Sequence, residues 1–265
     1  MKLIQSLKNL PQITEHLSNH KKKLSNTELG YYLAGLIEGD GYFGRGKLEI
    51  AYHKKDKSSA YWLRSLLGFG SIYDYTNKQA IRFTISNING LKKVLQLVNG
   101  KFVTELKVKQ LIKHGYEARL NMRILPPTYQ ISLNTHWFAG FVDADGSIGI
   151  FIAPSKTHKN KKSIRLEVKI SQKDKMICVL LSQIFDISKV HQDKKGIHRL
   201  KITGGTRIKQ IIDYFDHYHL QTIKYTQYVI FRRVARFLQK NKHLALDGLE
   251  KVHVFKQRLQ NVYRV

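Results

Sequence analysis

Two aspartates, Asp40 and Asp145, each close one copy of a nine-residue pattern. The first copy is Leu33-Ala34-Gly35-Leu36-Ile37-Glu38-Gly39-Asp40-Gly41, and the second is Phe138-Ala139-Gly140-Phe141-Val142-Asp143-Ala144-Asp145-Gly146. Every position agrees in residue type, which chance does not produce. Small residues a turn apart on an apolar helix let two backbones approach closely, so Ala34, Gly35 and Gly39 are expected to face Ala139, Gly140 and Ala144. On such a pair, Asp40 and Asp145 occupy adjacent helix C-termini, where their charges oppose the negative helix ends and each other. A cation resolves that conflict, and hard carboxylate oxygens suit a divalent ion such as magnesium. Glu38 and Asp143 lie two residues earlier on another side of the helices and read as helix-end polar groups.

The elements that must hold these acids can be read outward from them. Ser25-Asn26-Thr27-Glu28 has capping-box spacing and Asn134 is an N-cap candidate, so both helices are expected to begin about two turns before the acids. Gly41 and Gly146 are expected to end them in the left-handed conformation. After the first motif, residues 42–44 and 47–53 read as a hairpin turning at Arg45-Gly46, with Leu48, Ile50 and Tyr52 inward and Lys47, Glu49 and His53 outward. Residues 56–67 form a helix ending at Gly68, with Trp62, Leu63, Leu66 and Leu67 inside. A second hairpin, 71–76 and 80–86, buries Ile72, Ile81, Phe83 and Ile85 and exposes Tyr73, Tyr75, Arg82 and Thr84. Helices follow from Asn87 to Asn99 and from Glu105 to His114.

The second half repeats the order: strands at 147–153 and 163–171, a helix at 174–185, strands at 189–193 and 197–203, and helices at 205–217 and 222–239. A terminal helix, 244–264, has no counterpart in the first half. Each half is thus an α+β unit whose four-stranded antiparallel sheet has helices on one face. On the open face of the second sheet stand Arg165, Glu167, Lys169, His191, Asp193, Arg199 and Lys201. The expected division is an N-terminal arm (1–24, with one short helix near Leu3 and Ile4), a first repeat (25–125), a linker containing Pro126-Pro127 (126–133) and a second repeat (134–265). The second half's first hairpin is longer, and its tip, residues 155–162, is polar and basic.

Composition narrows the partner. A chain of 265 residues with 42% hydrophobic content can build two cores, and a net charge of +27 with a pI near 10.1 calls for a polyanion. No run of about 18 apolar residues is present, which disfavours a membrane. The single cysteine, Cys178, excludes intrachain disulfides and Cys-rich zinc sites. His217 and His219 diverge on a helix and make a poor metal pair. The Lys, Ile, Asn, Tyr and Phe usage is that of A/T-rich codons, as in an organellar genome, mitochondrial or chloroplast. Residues 1–23 lack a secretory apolar core and contain Glu15, so no signal or transit peptide is expected.

The doubled motif at this spacing resembles the LAGLIDADG homing endonucleases in their single-chain, two-repeat form. The resemblance covers residues from about Thr27 to the late 230s. It implies two pseudo-symmetric αββαββα repeats, paired motif helices at the interface, and two sheets forming a saddle over the DNA major groove. It also implies a monomer that hydrolyses both strands of double-stranded DNA at a long target, made asymmetric here by the unequal hairpins. Asp40 and Asp145 would bind two or three Mg2+ ions, with the carbonyls of Gly39 and Ala144 and phosphate oxygens completing the shell. A lysine from each repeat would stand near the water network: Lys224 in the second, and Lys107 or Lys109 in the first, with Lys107 preferred. A polar residue ending the second strand would order the attacking water, which points to Gln172 and, through the Lys-Asp-Lys register, Lys54. The open-face residues already named would read bases, since Arg and Lys donate to guanine and acids accept from cytosine. The alternative is an RNA-binding intron maturase on the same scaffold, gripping intron RNA by shape.

Overall fold

The computed structural model describes residues 7, 9–157 and 161–263. Two compact units are formed. One comprises residues 21–145 with 220–222, and the other holds the remaining described residues. The expected arm helix at Leu3 and Ile4, the tip residues His158, Lys159 and Asn160, and the expected helix end at Arg264 lie outside the described residues.

The first unit opens with α1 (Asn26–Asp40). Its start is the predicted capping box: Glu28 N–H donates to Ser25 Oγ at 3.3 Å, and Ser25 N–H donates to Glu28 Oε2 at 2.8 Å. The hydrogen-bonded Lys21 ammonium, 2.7 Å from Glu28, together with the cap pulls this carboxyl down to about 2. α1 therefore runs about four turns, twice the expected length, because the box sits well upstream of the motif. At its end Gly41 is extended, with φ −88° and ψ 154°, not left-handed. Glycine is needed there because a Cβ would press into Ile37 at 2.7 Å.

Then come β1 (Gly41–Gly44), β2 (Lys47–His53), a 3-10 turn (Lys54–Asp56), α2 (Lys57–Leu67), β3 (Ser71–Asp74), β4 (Ala80–Ile85), α3 (Ile88–Val98), α4 (Glu105–Lys113) and the short α5 (Tyr116–Leu120), which the sequence did not announce. The sheet order is β1-β2-β4-β3, all antiparallel. Leu48, Ile50, Ile81, Phe83 and Ile85 are fully buried against the helices, and Tyr52 nearly so. Leu63 and Leu67 of α2 are buried, while Trp62 and Leu66 are half-buried. The last element of this unit is the second motif helix, α6 (Trp137–Asp145). It begins two residues later than an Asn134 cap would place it. Its first turn closes on the His136 carbonyl, which accepts Gly140 N–H at 3.1 Å.

The second unit is built from β5 (Gly146–Pro154), β6 (Lys162–Gln172), α7 (Met176–Ile184), β7 (His191–Gln192), β8 (His198–Ile202), α8 (Gly205–His217), α9 (Lys224–Gln239) and α10 (Gly248–Asn261). Its sheet order, β5-β6-β8-β7, repeats that of the first. Gly146, expected as a left-handed stop, instead opens β5. β7 has two residues where five were expected, because the Asp193 carboxylate takes Lys195 and Ile197 N–H into a turn. The arm lies along α9: Leu7 is buried, and Gln239 donates to the Leu7 carbonyl and accepts Ile13 N–H. The basic run His20-Lys21-Lys22-Lys23 follows it. His20 stacks on Tyr225 with ring centroids 4.0 Å apart, and in the first unit Lys22 lies over Trp62.

Candidate active site

α1 and α6 meet through their small residues, and the contact is reciprocal. A Cβ on Gly35 would overlap the Trp137 carbonyl, and one on Gly140 would overlap the Tyr32 carbonyl. A Cβ on Gly39 would overlap the Ala144 methyl and lie 3.2 Å from Asp145 Oδ2. The backbones are therefore as close as peptide groups allow. Asp40 follows Gly39 directly, and the charges of both Asp40 and Asp145 reach the Lys107 ammonium. Both are half-buried, sheltered yet open to solvent.

The earlier acids do more than end a helix. Glu38 is buried and accepts Val103 N–H at 2.8 Å, Thr104 N–H at 2.6 Å and the Thr104 hydroxyl at 2.6 Å. It thereby holds the N-cap of α4, where a carboxylate satisfies orphan amides and meets the positive helix end. Burial raises its pKa against these hydrogen bonds and Lys107, which lower it. Asp143 repeats the device: Gln221 N–H donates at 2.6 Å, Thr222 N–H at 3.4 Å and Tyr32 Oη at 2.8 Å. The sequence signal was the pair Val103-Thr104 and Gln221-Thr222, each shortly before a site lysine.

Anchoring α4 places the two candidate lysines differently. Lys107 is 4% exposed, and its ammonium donates to the Gly41 carbonyl at 2.6 Å, one residue past Asp40. Burial lowers its pKa, and the charges of Glu38, Asp145 and Asp40 raise it. Lys109 is exposed and paired with Glu105 on the next turn. Among the described residues no group of three or more His, Cys, Asp or Glu side chains comes together. The protein thus offers two carboxylates and the helix-end carbonyls of Gly39 and Ala144, an all-oxygen set. Such a set fits a hard divalent ion that keeps water or phosphate oxygens in its shell, and it does not fit zinc.

Comparison with known proteins agrees with this geometry. The family described as LAGLIDADG endonuclease matches residues 138–235. The "Uncharacterized cox1 intron-2 37.2 kDa protein" of Schizosaccharomyces pombe is 33% identical over 249 residues, 91% of this chain and 76% of that protein. The chain belongs to the LAGLIDADG endonuclease family. The "Intron-encoded RNA maturase bI4" of Saccharomyces cerevisiae is 31% identical over 181 residues, 66% of this chain but 26% of that protein. In fold, the LAGLIDADG homing endonuclease I-LtrWI, solved bound to target DNA, superposes with a TM-score of 0.69 at 22% identity, covering 88% of this chain and 98% of that one.

Sheet register relates a further pair of candidate positions in this LAGLIDADG chain. Gly41 stands opposite Ile50, and Gly146 opposite Ile170. Counted from these motif glycines, the strand-end position held by Gln172 corresponds to Tyr52, not to Lys54. Lys54 lies beyond the strand in the 3-10 turn, exposed, with its N–H on the Gln79 carbonyl at 3.0 Å. Counted instead from the Lys-Asp-Lys run that leads into the next helix, Lys54 is the position that matches Gln172. Tyr52 is buried, and burial first, then the charges of Asp143 and Asp40, keep its hydroxyl protonated. In the second unit Gln172 ends β6 and Lys224 is the first residue of α9.

The sheet faces carry the other named residues. On the first, Glu49 lies 3.0 Å from both Lys47 and Arg82, and the Arg82 guanidinium stands 5.5 Å from the Tyr75 ring and 5.9 Å from that of Tyr73. Thr84 shares this face. His53 is turned to a local task, its Nδ1 accepting Lys55 N–H at 3.2 Å. On the second sheet, Arg165 lies over the Phe151 ring at 5.1 Å and beside the buried Glu167, with Lys169, His191, Arg199 and Lys201 at the surface. Asp193 pairs with Arg199 at 2.6 Å but is committed to its turn.

Proposed function

We propose that this chain is a site-specific homing endonuclease that cuts both strands of double-stranded DNA at a long, asymmetric target. The reading is carried by the placement of Asp40 and Asp145 at the glycine contact of the paired helices. Their carboxylates, with the Gly39 and Ala144 carbonyls, are the residues that would hold two or three Mg2+ ions. Bound there, the metal supplies charge neutralisation at phosphorus and a water of lowered pKa. The chain's own residues do the rest. Lys107 holds a positive charge beside the acids, where it stabilises negative charge gathering on the cleaved phosphate. Repeat correspondence gives Lys224 the same task and Gln172 that of orienting water, with Lys54 or, by the sheet register, Tyr52 as its counterpart in the first repeat.

On the sheets, Arg82 is held between Glu49 and two tyrosine rings, an arrangement that presents a guanidinium to the acceptors of guanine at low entropy cost. The remaining open-face residues supply further base and phosphate contacts. The two repeats, 25–125 and 134–265, act as one monomer. The intron-encoded names of the relatives and the A/T-rich residue usage support expression from an organellar intron. An RNA maturase is the second reading, favoured by the similarity to the yeast maturase.

The test is a supercoiled plasmid carrying the target, incubated with Mg2+ while nicked and linear products are resolved over time. Asp40→Asn and Asp145→Asn should each keep DNA binding and lose linearisation by orders of magnitude. Double-strand cutting at the wild-type rate by either variant would remove the paired acids from catalysis.

A further inference from the structure

One cleft is lined by neither motif acid. It is a cleft of about 630 Å3 between α9 and α10 in the second unit. Its floor is the edge-on pair Phe237 and Phe255, with centroids 6.3 Å apart, and the Arg233 guanidinium stands 5.1 Å over the Phe255 ring. Six cations line it, against three acids. Two of those acids are already neutralised, Glu15 by Arg236 and Asp247 by Lys251. Arg236 keeps a buried Nε without a hydrogen-bond partner. Arg233, Lys240, Lys242 and Arg258 remain against the single acid Glu250, gathered around an apolar floor in a hollow.

This cleft is not a copy of anything in the first repeat, which offers only the five-residue α5 at the corresponding place. Both α9 and α10 pack on β5, whose Ile148 and Ile150 are buried while Ser147 and Phe151 are exposed. The cleft therefore belongs to the helix layer, behind the sheet face that carries Arg165 and Lys201. A duplex cannot stack its paired bases on a floor sunk between two helices. A single strand can place one unstacked base on an aromatic ring while its phosphates meet the surrounding cations.

We infer that the α9–α10 cleft binds single-stranded RNA, with a base stacked on Phe255 beneath Arg233 and the flanking phosphates on Arg258 and Lys240. This gives the maturase reading a place on the molecule and does not depend on the cleavage site. The experiment uses the full chain, a fluorescein-labelled 20-nucleotide RNA, the same sequence as single-stranded DNA, and a duplex target. Arg233→Ala with Arg258→Ala changes two exposed side chains, and Phe255→Leu keeps an apolar floor. Each variant should bind RNA about tenfold more weakly, with melting temperature, duplex binding and duplex cutting unchanged. Unchanged RNA affinity in both variants overturns the inference, as does an equal loss on the duplex, which would mark a general charge effect. Equal affinity for single-stranded DNA overturns the assignment to RNA. Loss confined to binding of anionic phosphatidylserine vesicles would make the cleft a lipid site instead.

Discussion

Glu38 and Lys107 are two ends of one arrangement. The Glu38 carboxylate fixes the start of α4 through Val103 and Thr104, and one turn later that helix delivers the Lys107 ammonium to the Gly41 carbonyl. Glu38→Gln removes the charge and turns one acceptor into a donor facing donors, which costs about 1–3 kcal/mol of stability. It also removes the first of the three charges that raise the Lys107 pKa, leaving the lowering by burial less opposed. Lys107 then loses its proton at lower pH. In single-turnover cleavage, the alkaline fall of the rate should begin at lower pH in Glu38→Gln than in wild type, with DNA affinity held. Lys107→Met should abolish the pH dependence of that limb. An unshifted limb in Glu38→Gln, with a lowered melting temperature, would reduce Glu38 to a structural cap.

At the scale of elements, the helix pair is the strongest constraint. Gly140 faces the Tyr32 carbonyl so closely that even a methyl group must push α1 and α6 apart. Gly140→Ala should therefore cost more than about 4 kcal/mol, in the range reserved for severe core disruption. Gly115→Ala is the control. Gly115 has φ +68° with nothing within 4 Å of a Cβ, so only the left-handed strain of about 1–2 kcal/mol applies. Urea midpoints on the two variants measure the difference, and equal losses would mean the helices can slide apart freely. This contact was legible in the sequence because a small residue recurring on an apolar stretch has few other uses. Alternation likewise revealed the inward set Leu48, Ile50 and Tyr52, since strand period and burial are local properties. What failed were features decided at a distance. The extended Gly41 is set by contact with Ile37 and the delayed start of α6 by His136. The partners of Glu38 and Asp143 lie 65 to 111 residues away, beyond any motif window.

Taken whole, the molecule carries a net charge of +27, and most of the acids seen at its surface are already paired with cations, such as Glu49 with Lys47 and Arg82 and Asp193 with Arg199. Those pairs order the side chains proposed to face bases, and on the same proposal the lysines in excess of them are left for phosphates. Each phosphate neutralised by Lys or Arg releases condensed counterions and adds roughly −0.9 to the slope of log K against log salt. A target long enough to engage two four-stranded sheets involves at least about six such phosphates, which sets a slope of about −5 or steeper. Direct base contacts release few counterions, so a non-cognate duplex should show nearly the same slope at a lower affinity. The measurement is duplex affinity from 50 to 200 mM KCl without divalent metal, for the target and for a scrambled sequence of equal length. Arg82→Ala should then lower affinity for the target alone and change the slope by no more than about one unit. A slope shallower than about −2 would mean that the charge excess serves some partner other than duplex DNA. A loss from Arg82→Ala that is equal on both duplexes would place this guanidinium on phosphate and not on a base.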